Sequence, residues 1–520
     1  MWLSTATIVG LIAISIFKAI TRYTKLRHFP GPPWTAISDW PHSLAMLRGN
    51  CHKWYADVSE KHGPVARVAP RVLITSSPEV WMHVNTKAGY KRSDWYYNAA
   101  RIEYQRDNVF SQTDNAKHEA RRKQMAPGYS GRENLDLEKS VDERLTELLH
   151  LIRIKYLSSD TCIIPMDLAK KVQYFTLDVI SSVGLGKTFG MLQSDRDIDN
   201  YLQSSEEGLA IGNTALAMGF SWLTQAPFLG LFIAPSPKDN TGFGKMMASA
   251  FRVVDERAAS FFSASSNSKE KSDMLASFMR HGLSGDELRS EALEQIIAGS
   301  DTTAAAIRGA LLHVITNPRV YRKLQREIDD TVARGDAPAS ILSTSTRQDV
   351  GLITTAQAAK LPYLQAVIRE SMRFFTPVSN IFARDVPKDG DTVVVDGERV
   401  FLPGGDGVCI GYSAYAMHRS EQIYGKDADA FRPERWLESD PESDPTRLAR
   451  MIRTNDLVFG HGHFRCLGRP VAQIELGKTV FELLRNFDIA LMDPTRPWDV
   501  RNHLGLFAIS NMWVQVMERV

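Results

Sequence analysis

The ten residues FGHGHFRCLG, 459–468, constrain this 520-residue chain more than any other segment. They gather Gly460, Gly462 and Gly468 around one cysteine, Cys466, with His461, His463 and Arg465 beside it. The run RPVAQIELGKTVFELL follows at once and has a helical apolar period. A thiol in such a loop has several uses. It can be a structural cysteine. It can be a nucleophile, with His461 or His463 as base. It can bind zinc, although only those two histidines lie close enough in sequence to help.

The fourth use is as a thiolate ligand to haem iron. That chemistry wants backbone N–H groups aimed at sulfur, glycines that let the chain approach a flat porphyrin, and a helix N-terminus beyond. The loop matches that description with Gly460, Gly462 and Gly468, then a helix. The other cysteines, Cys51, Cys162 and Cys409, are far apart and form no CxxC pair, which argues against a disulfide framework and fits a reducing compartment. Lys+Arg 62 against Asp+Glu 60 gives a net charge of +2, with no basic stripe, so nucleic acid is not an expected partner.

The N-terminus differs in character. WLSTATIVGLIAISIF, 2–17, is apolar, and Lys18, Arg22, Lys25 and Arg27 follow it. Lys18 can snorkel, which stretches the span to Ile20, close to bilayer thickness. Charges after the apolar run favour a retained signal-anchor over a cleaved signal peptide, with the C-terminal side in the cytosol. The expected organisation is a transmembrane anchor and basic flank over 1–28, then one large domain over 29–520. FPGPPW, 29–34, reads as a stiff extended hinge between them.

The large domain reads mainly α. LEKSVDERLTELLHLIRIKYL (137–157), NPRVYRKLQREIDDTVARG (from Asn317 as N-cap) and LPYLQAVIRESMRFF have helical period. Strand-like runs are short: 65–70, 71–75, 392–396 and 408–412. SSVGLGKTFG, 181–190, contains GKT, but a phosphate loop needs glycine where Ser181 stands; a helix end at Gly184 and Gly186 is the better reading.

Two further motifs carry chemistry. AGSDTT, 298–303, interrupts the apolar helical run EALEQIIAGSDTTAAAIRGALLHVI. It is either a bent helix with a satisfied polar patch, or a helix opened over a reaction centre. In the second reading Ala298 and Gly299 leave space while Asp301 and Thr302 manage protons. Glu370 and Arg373 stand at i, i+3 on an apolar helix, as a solvated pair or a buried one. Arg435, in FRPERW, can complete the buried version.

Taken together, AGSDTT, ESMR, FRPERW and FGHGHFRCLG occur in the order of the signatures of the cytochrome P450 superfamily, which the chain resembles over essentially its whole length. In style it is similar to fungal enzymes of secondary metabolism such as the pisatin demethylase group. The resemblance implies a helical prism with a small β-rich subdomain and an N-terminal membrane anchor. It implies haem b held by Cys466 as axial ligand, with Ala298 and Phe459 against the cofactor. His118, Arg122, Arg384 and Arg465 become candidates for the haem propionates, because two buried carboxylates need cationic partners. Where members often carry a base two positions before the cysteine, this chain has Phe464. Glu370, Arg373 and Arg435 become a buried structural triad.

The implied activity is a haem-thiolate monooxygenase acting on a hydrophobic small molecule, of terpenoid or polyketide type, with dioxygen. Electrons would come from NADPH through a cytochrome reductase, with cytochrome b5 as an additional candidate donor. Thr302 would hydrogen-bond the oxygen being activated and Asp301 would relay protons. Substrate contacts are expected at Trp95–Phe110, Ala298, Thr302, Val378–Phe382 and Leu504–Phe507. The implied location is the endoplasmic reticulum membrane, single-pass, with the catalytic domain facing the cytosol. The alternatives are a haem-thiolate isomerase or dehydratase that does not use dioxygen, and a non-enzymatic haem carrier or sensor.

Overall fold

The structure, a computed structural model, describes residues 23–263, 272–338, 351–440 and 444–519. The anchor expected at 2–20 lies outside them. Among the described residues no helix is long and apolar enough to cross a membrane.

Helices dominate. The principal ones are α1 (Asn115–Tyr129), α2 (Leu137–Lys155), α3 (Leu168–Leu185), α4 (Tyr201–Ala217), α5 (Gly242–Ser263), α6 (Gly285–Ile315), α7 (Pro318–Ala333), α8 (Pro362–Phe374) and α9 (Arg469–Asn486). In α2 the buried residues Leu137, Val141, Leu145, Leu148, Leu149 and Ile152 form the stripe that the sequence period announces. α7 begins at Pro318 as expected, but the Asn317 side chain makes no cap; it donates back to the His313 carbonyl at 2.6 Å.

α6 is the axis of the molecule. It runs 31 residues and packs along α3 and against α5, α8 and α9. Being covered on several sides, it buries residues around most of its circumference. Gly299 is needed for the contact with α3: a Cβ there would sit 2.8 Å from Ile180 Cδ1. α3 ends as the sequence suggests, with Gly186 in the left-handed region at φ +69. GKT is therefore a helix exit and not a phosphate loop.

The β structure is peripheral. A five-stranded sheet has the order β1-β2-β8-β5-β3, from Val65–Ala69, Val72–Thr75, Cys409–Tyr412, Arg384–Asp385 and Lys91–Arg92. β1 pairs antiparallel with β2, and β2 parallel with β8. β4 (Met166–Asp167), β12 (Trp513–Glu518) and β9 (Phe487–Leu491) form a second sheet. β6 (Asp391–Val395) and β7 (Glu398–Leu402) make a hairpin through Asp396 and Gly397, both at positive φ, the chemistry of a tight primed turn. β10 (Asp499–His503) and β11 (Leu506–Ser510) make another.

FPGPPW is docked, not a free hinge. Arg67 of β1 donates to the carbonyls of Leu26 (2.8 Å) and Phe29 (2.9 Å), and its N–H bonds Pro30. Gly31 lies so close that a Cβ would meet the Arg67 carbonyl at 2.3 Å. The prolines stiffen the chain, and β1 holds it.

Candidate active site

The cysteine loop is shaped by two glycines. Gly460 has φ +71, and a Cβ there would approach the Phe464 carbonyl to 2.8 Å. Gly462 has φ +56, and a Cβ there would come within 2.3 Å of the Asn85 carbonyl on the neighbouring helix Pro78–Thr86. Only glycine satisfies both the conformation and the approach. The Cys466 N–H closes the loop on the Phe459 carbonyl at 2.7 Å. The N–H groups of Gly468 and Arg469 point at the sulfur, where α9 begins. Burial pushes the Cys466 thiol up; those N–H groups and the charges of Arg122 and Arg469 oppose it. The site therefore holds a sulfur that favours a cation or metal partner once ionised.

The sulfur is exposed, and it is exposed to an internal cavity of about 580 Å³. The far wall is α6, from Glu291 through Ala298, Gly299, Thr302 and Ala306. Phe459, Arg465, Arg122 and Arg384 also line it. The expected substrate loops contribute Tyr96, Tyr97, Phe110, Val378, Phe382 and Leu504. Trp95 and Phe507 do not reach the wall.

One side of this cavity is a cluster of cations. Arg92, Arg122 and Arg384 all line it, and among the described residues none of them forms an ion pair with a carboxylate. Arg384 donates to Asn85 Oδ1 (3.0 Å) and the Tyr97 hydroxyl (2.8 Å). Arg92 Nε and His118 Nε2 are buried without hydrogen-bond partners. Burial drives Arg92 down to about 10, and the charges of Arg384 and Arg122 add to the fall. His118 is driven to about 2 by burial and then by the charges of Arg92, Arg122 and Arg384. Its ring lies off the cavity wall, 5.3 Å from that of Phe464. Such a cluster lacks an anion.

Phe464 now has a place. The guanidiniums of Arg384 and Arg92 sit over its ring at 4.3 Å and 5.2 Å. The position that is often basic in the family is here an aromatic platform for two bases from elsewhere. Arg92 was not legible as a site residue: it is one base in KRSDW, a short strand with no pattern of its own. A cysteine sulfur with two N–H groups aimed at it, a largely apolar chamber, and guanidiniums with no carboxylate partner among the described residues fit haem b; Cys466 would ligate the iron and Arg92, Arg122 and Arg384 would face the propionates.

Thr302 faces the cavity, and its hydroxyl donates to the Ala298 carbonyl at 2.8 Å, the back-bond expected of a helical threonine. Asp301 is not on the wall. Its carboxylate accepts from Gln173 of α3 (2.6 Å) and Ser205 of α4 (2.7 Å). Burial raises its pKa, against those bonds and the charge of Arg308.

Away from the cavity, Arg373 Nε and Nη2 grip the two oxygens of Glu370 at 2.8 Å each, and Arg435 Nε adds a bond at 3.1 Å. The Trp436 ring N–H (2.9 Å) and the Arg432 backbone N–H (2.8 Å) complete the set. Arg373 spends its remaining donors on the carbonyls of His418, Ala428 and Ala430.

Comparison with known proteins follows the same line. The cytochrome P450 family profile matches residues 30–512. The chain is 36% identical to the cytochrome P450 monooxygenase ABA1 of Pyricularia oryzae strain 70-15, over 100% of this chain and 98% of that one. It is 34% identical to the cytochrome P450 monooxygenase aba1 of Botryotinia fuckeliana strain B05.10, over 95% and 92%. It is 33% identical to the cytochrome P450 monooxygenase abl1 of Leptosphaeria maculans, over 96% and 84%. With the cysteine loop, the cation cluster and the α6 groove in place, the chain belongs to the cytochrome P450 family and is a haem b monooxygenase supplied with electrons by an NADPH-dependent reductase.

Proposed function

We propose that this monooxygenase oxidises a hydrophobic small molecule in the cavity between α6 and the Cys466 loop, as a step in making a fungal secondary metabolite of terpenoid or polyketide type. The observation that carries the reading is one chamber with Cys466 on one wall and Ala298, Gly299 and Thr302 on the other, closed by Phe110, Val378, Phe382 and Leu504. Those side chains bind and orient an apolar body and exclude water.

When bound, haem supplies the activation of dioxygen; the protein supplies position and protons. Cys466 would ligate the iron, its sulfur steadied by the Gly468 and Arg469 N–H groups. Thr302 turns its hydroxyl proton from the Ala298 carbonyl toward an acceptor in the chamber. Asp301, its pKa raised by burial, exchanges a proton at higher pH than an ordinary carboxyl; the Ser205 hydroxyl that donates to it is the contact through which a proton reaches it, while the Gln173 amide holds the other oxygen in place. Exposed Glu206, next to Ser205 in sequence and electrostatically coupled to Asp301, gives that route an end at solvent.

We place the protein on the endoplasmic reticulum membrane through residues 2–20, with the catalytic domain in the cytosol and cytochrome b5 as a second donor. An exposed apolar cluster between α4 and α5 supports this: Phe220, Trp222, Phe228, Leu231 and Phe232 are all more than half exposed. The test is turnover with NADPH, reductase and apolar candidate substrates under labelled dioxygen, read by mass spectrometry. A product that gains one labelled oxygen atom supports the reading. A rearranged or dehydrated product with no gain of oxygen overturns it.

A further inference from the structure

Two acidic side chains in the chamber take no part in the chemistry above. Glu291 and Glu294 both line the cavity from α6. They are spent differently. Glu291 is paired: it accepts from Arg121 of α1 at 2.7 Å and from the Val109 N–H at 3.0 Å. Glu294 has no ion pair among the described residues; its one hydrogen bond comes from the Asn108 side chain, at 3.2 Å to Oε2.

The direction of that bond is settled. Asn108 Oδ1 already accepts the N–H groups of Phe110 (2.9 Å) and Ser111 (2.8 Å), so Nδ2 is the atom turned toward Glu294. Oε2 is therefore an acceptor. A proton on the carboxyl belongs on Oε1, which has no hydrogen-bond partner among the described residues and is not among their fully buried unpartnered atoms. Burial raises Glu294 to about 8, with Glu291 adding and Arg92 and Asn108 opposing. Glu291 reaches only about 7, because Val109 and Arg121 hold its charge. Of the two, Glu294 has the surroundings less able to hold a charge: one side-chain amide N–H against the guanidinium and backbone N–H that serve Glu291. The groups facing it are Glu291 on its own helix, Arg92 of β3, Asn108, and the phenols of Tyr96 and Tyr129.

We propose that Glu294 is a substrate-binding residue whose carboxylic acid donates a hydrogen bond from Oε1 to an oxygen atom of the substrate, so that the chamber selects oxygen-bearing apolar molecules over hydrocarbons. It stands four residues before Ala298 and eight before Thr302, about 6 Å and about 12 Å along the helix. The oxygen it grips is remote from the carbon under attack. The substrate accordingly arrives already oxygenated, from a reaction that installs or leaves a hydroxyl or carbonyl group. This rests on reading the cavity as the substrate chamber.

The test uses holoenzyme and two probes of matched shape, cyclododecanone and cyclododecane, with binding read from the Soret shift on displacing iron-bound water. Wild type should bind the ketone roughly tenfold more tightly, the upper range for one neutral hydrogen bond. Glu294→Leu should abolish that preference while still binding the hydrocarbon. Glu294→Gln, which keeps an N–H donor, should retain part of it. In wild type the preference should fade as pH rises through about 8, and in Glu294→Gln it should not. Equal binding of both probes by wild type, or an unchanged preference in Glu294→Leu, overturns the assignment alone. Failure of both probes to shift the spectrum overturns the chamber reading as well.

Discussion

Glu370 and Arg373 lie one helical turn apart on α8, joined by two 2.8 Å hydrogen bonds, with both side chains completely buried. An i, i+3 ion pair on a surface is worth a few tenths of a kcal/mol. Here every donor and acceptor is spent within the protein, and removing one partner leaves an uncompensated buried charge. Arg373→Ala should cost about 3–5 kcal/mol, read as loss of soluble, haem-loaded protein or a lowered urea midpoint.

The same carboxylate sets an acid limit. Burial alone would raise Glu370, but the Arg373 bonds and the charges of Arg373 and Arg435 outweigh it and hold the pKa below the ordinary value. A depressed carboxylate contributes stability above its unfolded pKa and loses it as pH falls through the folded one. Wild type should therefore lose stability steeply below about pH 4. Denaturation midpoints measured from pH 6 to 3 check this. A decline complete by pH 5 would assign the acid limit to other groups.

How much of this was legible follows from where each piece of information resides. The cysteine loop, α6 and α8 carry their chemistry within one contiguous stretch, so spacing alone brings Gly460 to Cys466 and Glu370 to Arg373. The C-terminal strands β9–β12 went unread for two reasons: DVRNH of β10 shows little alternation although its hairpin with β11 is local, and β9 and β12 are ordered by pairing with each other across the intervening hairpin. Arg92 and Glu294 were missed for a reason of the second kind. Each is an ordinary charged residue locally, and only the fold carries one onto the Phe464 ring and the other into an apolar chamber. Asp301 was read as the proton relay beside Thr302; the fold adds that a helix turns neighbours apart, so its carboxylate meets α3 and α4 and not the cavity wall.

Cys466→Ser should abolish the red-shifted carbon monoxide difference band of a thiolate-bound haem. The alkoxide that serine would need is far less accessible than a thiolate with two N–H donors aimed at it. A retained thiolate-type band in the variant would remove Cys466 as the ligand.

Thr302→Ala removes the hydroxyl and leaves the Ala298 carbonyl without its back-bond. NADPH consumption should continue while product per NADPH falls at least tenfold, consistent with the usual size of a positioned proton donor. Thr302→Ser should recover most of the coupling. Equal coupling in all three proteins would take the proton role away from this residue.

Asp301→Asn separates stability from activity. A buried acid whose pKa is raised prefers its neutral form in the fold, so its stabilising effect is present at low pH and lost as pH rises through the folded pKa. An amide keeps hydrogen bonds to Gln173 and Ser205 without the charge. At pH 7 the variant should match or exceed wild type in melting temperature while turnover drops tenfold or more. A lower melting temperature with unchanged turnover would make Asp301 a structural residue.

Arg92 offers the sharpest test of the cofactor cradle, because its effect should change sign with occupancy. In the protein without haem, Arg92, Arg122 and Arg384 repel one another, and Arg92 Nε is buried without a partner. Removing that charge with Arg92→Gln should leave the apoprotein as stable as wild-type apoprotein or more so. Its stability should also depend less on salt, which screens such repulsion. With haem bound, the guanidinium on the Phe464 ring would face a propionate, and losing it should weaken haem retention about tenfold, the low end for a supporting contact at a metal site. Haem transfer to an apo-globin acceptor measures the second effect, and thermal melts of both forms at low and high salt measure the first. If the substitution destabilised apoprotein and holoprotein equally, Arg92 would be a packing residue and the propionate would have to find its cation elsewhere.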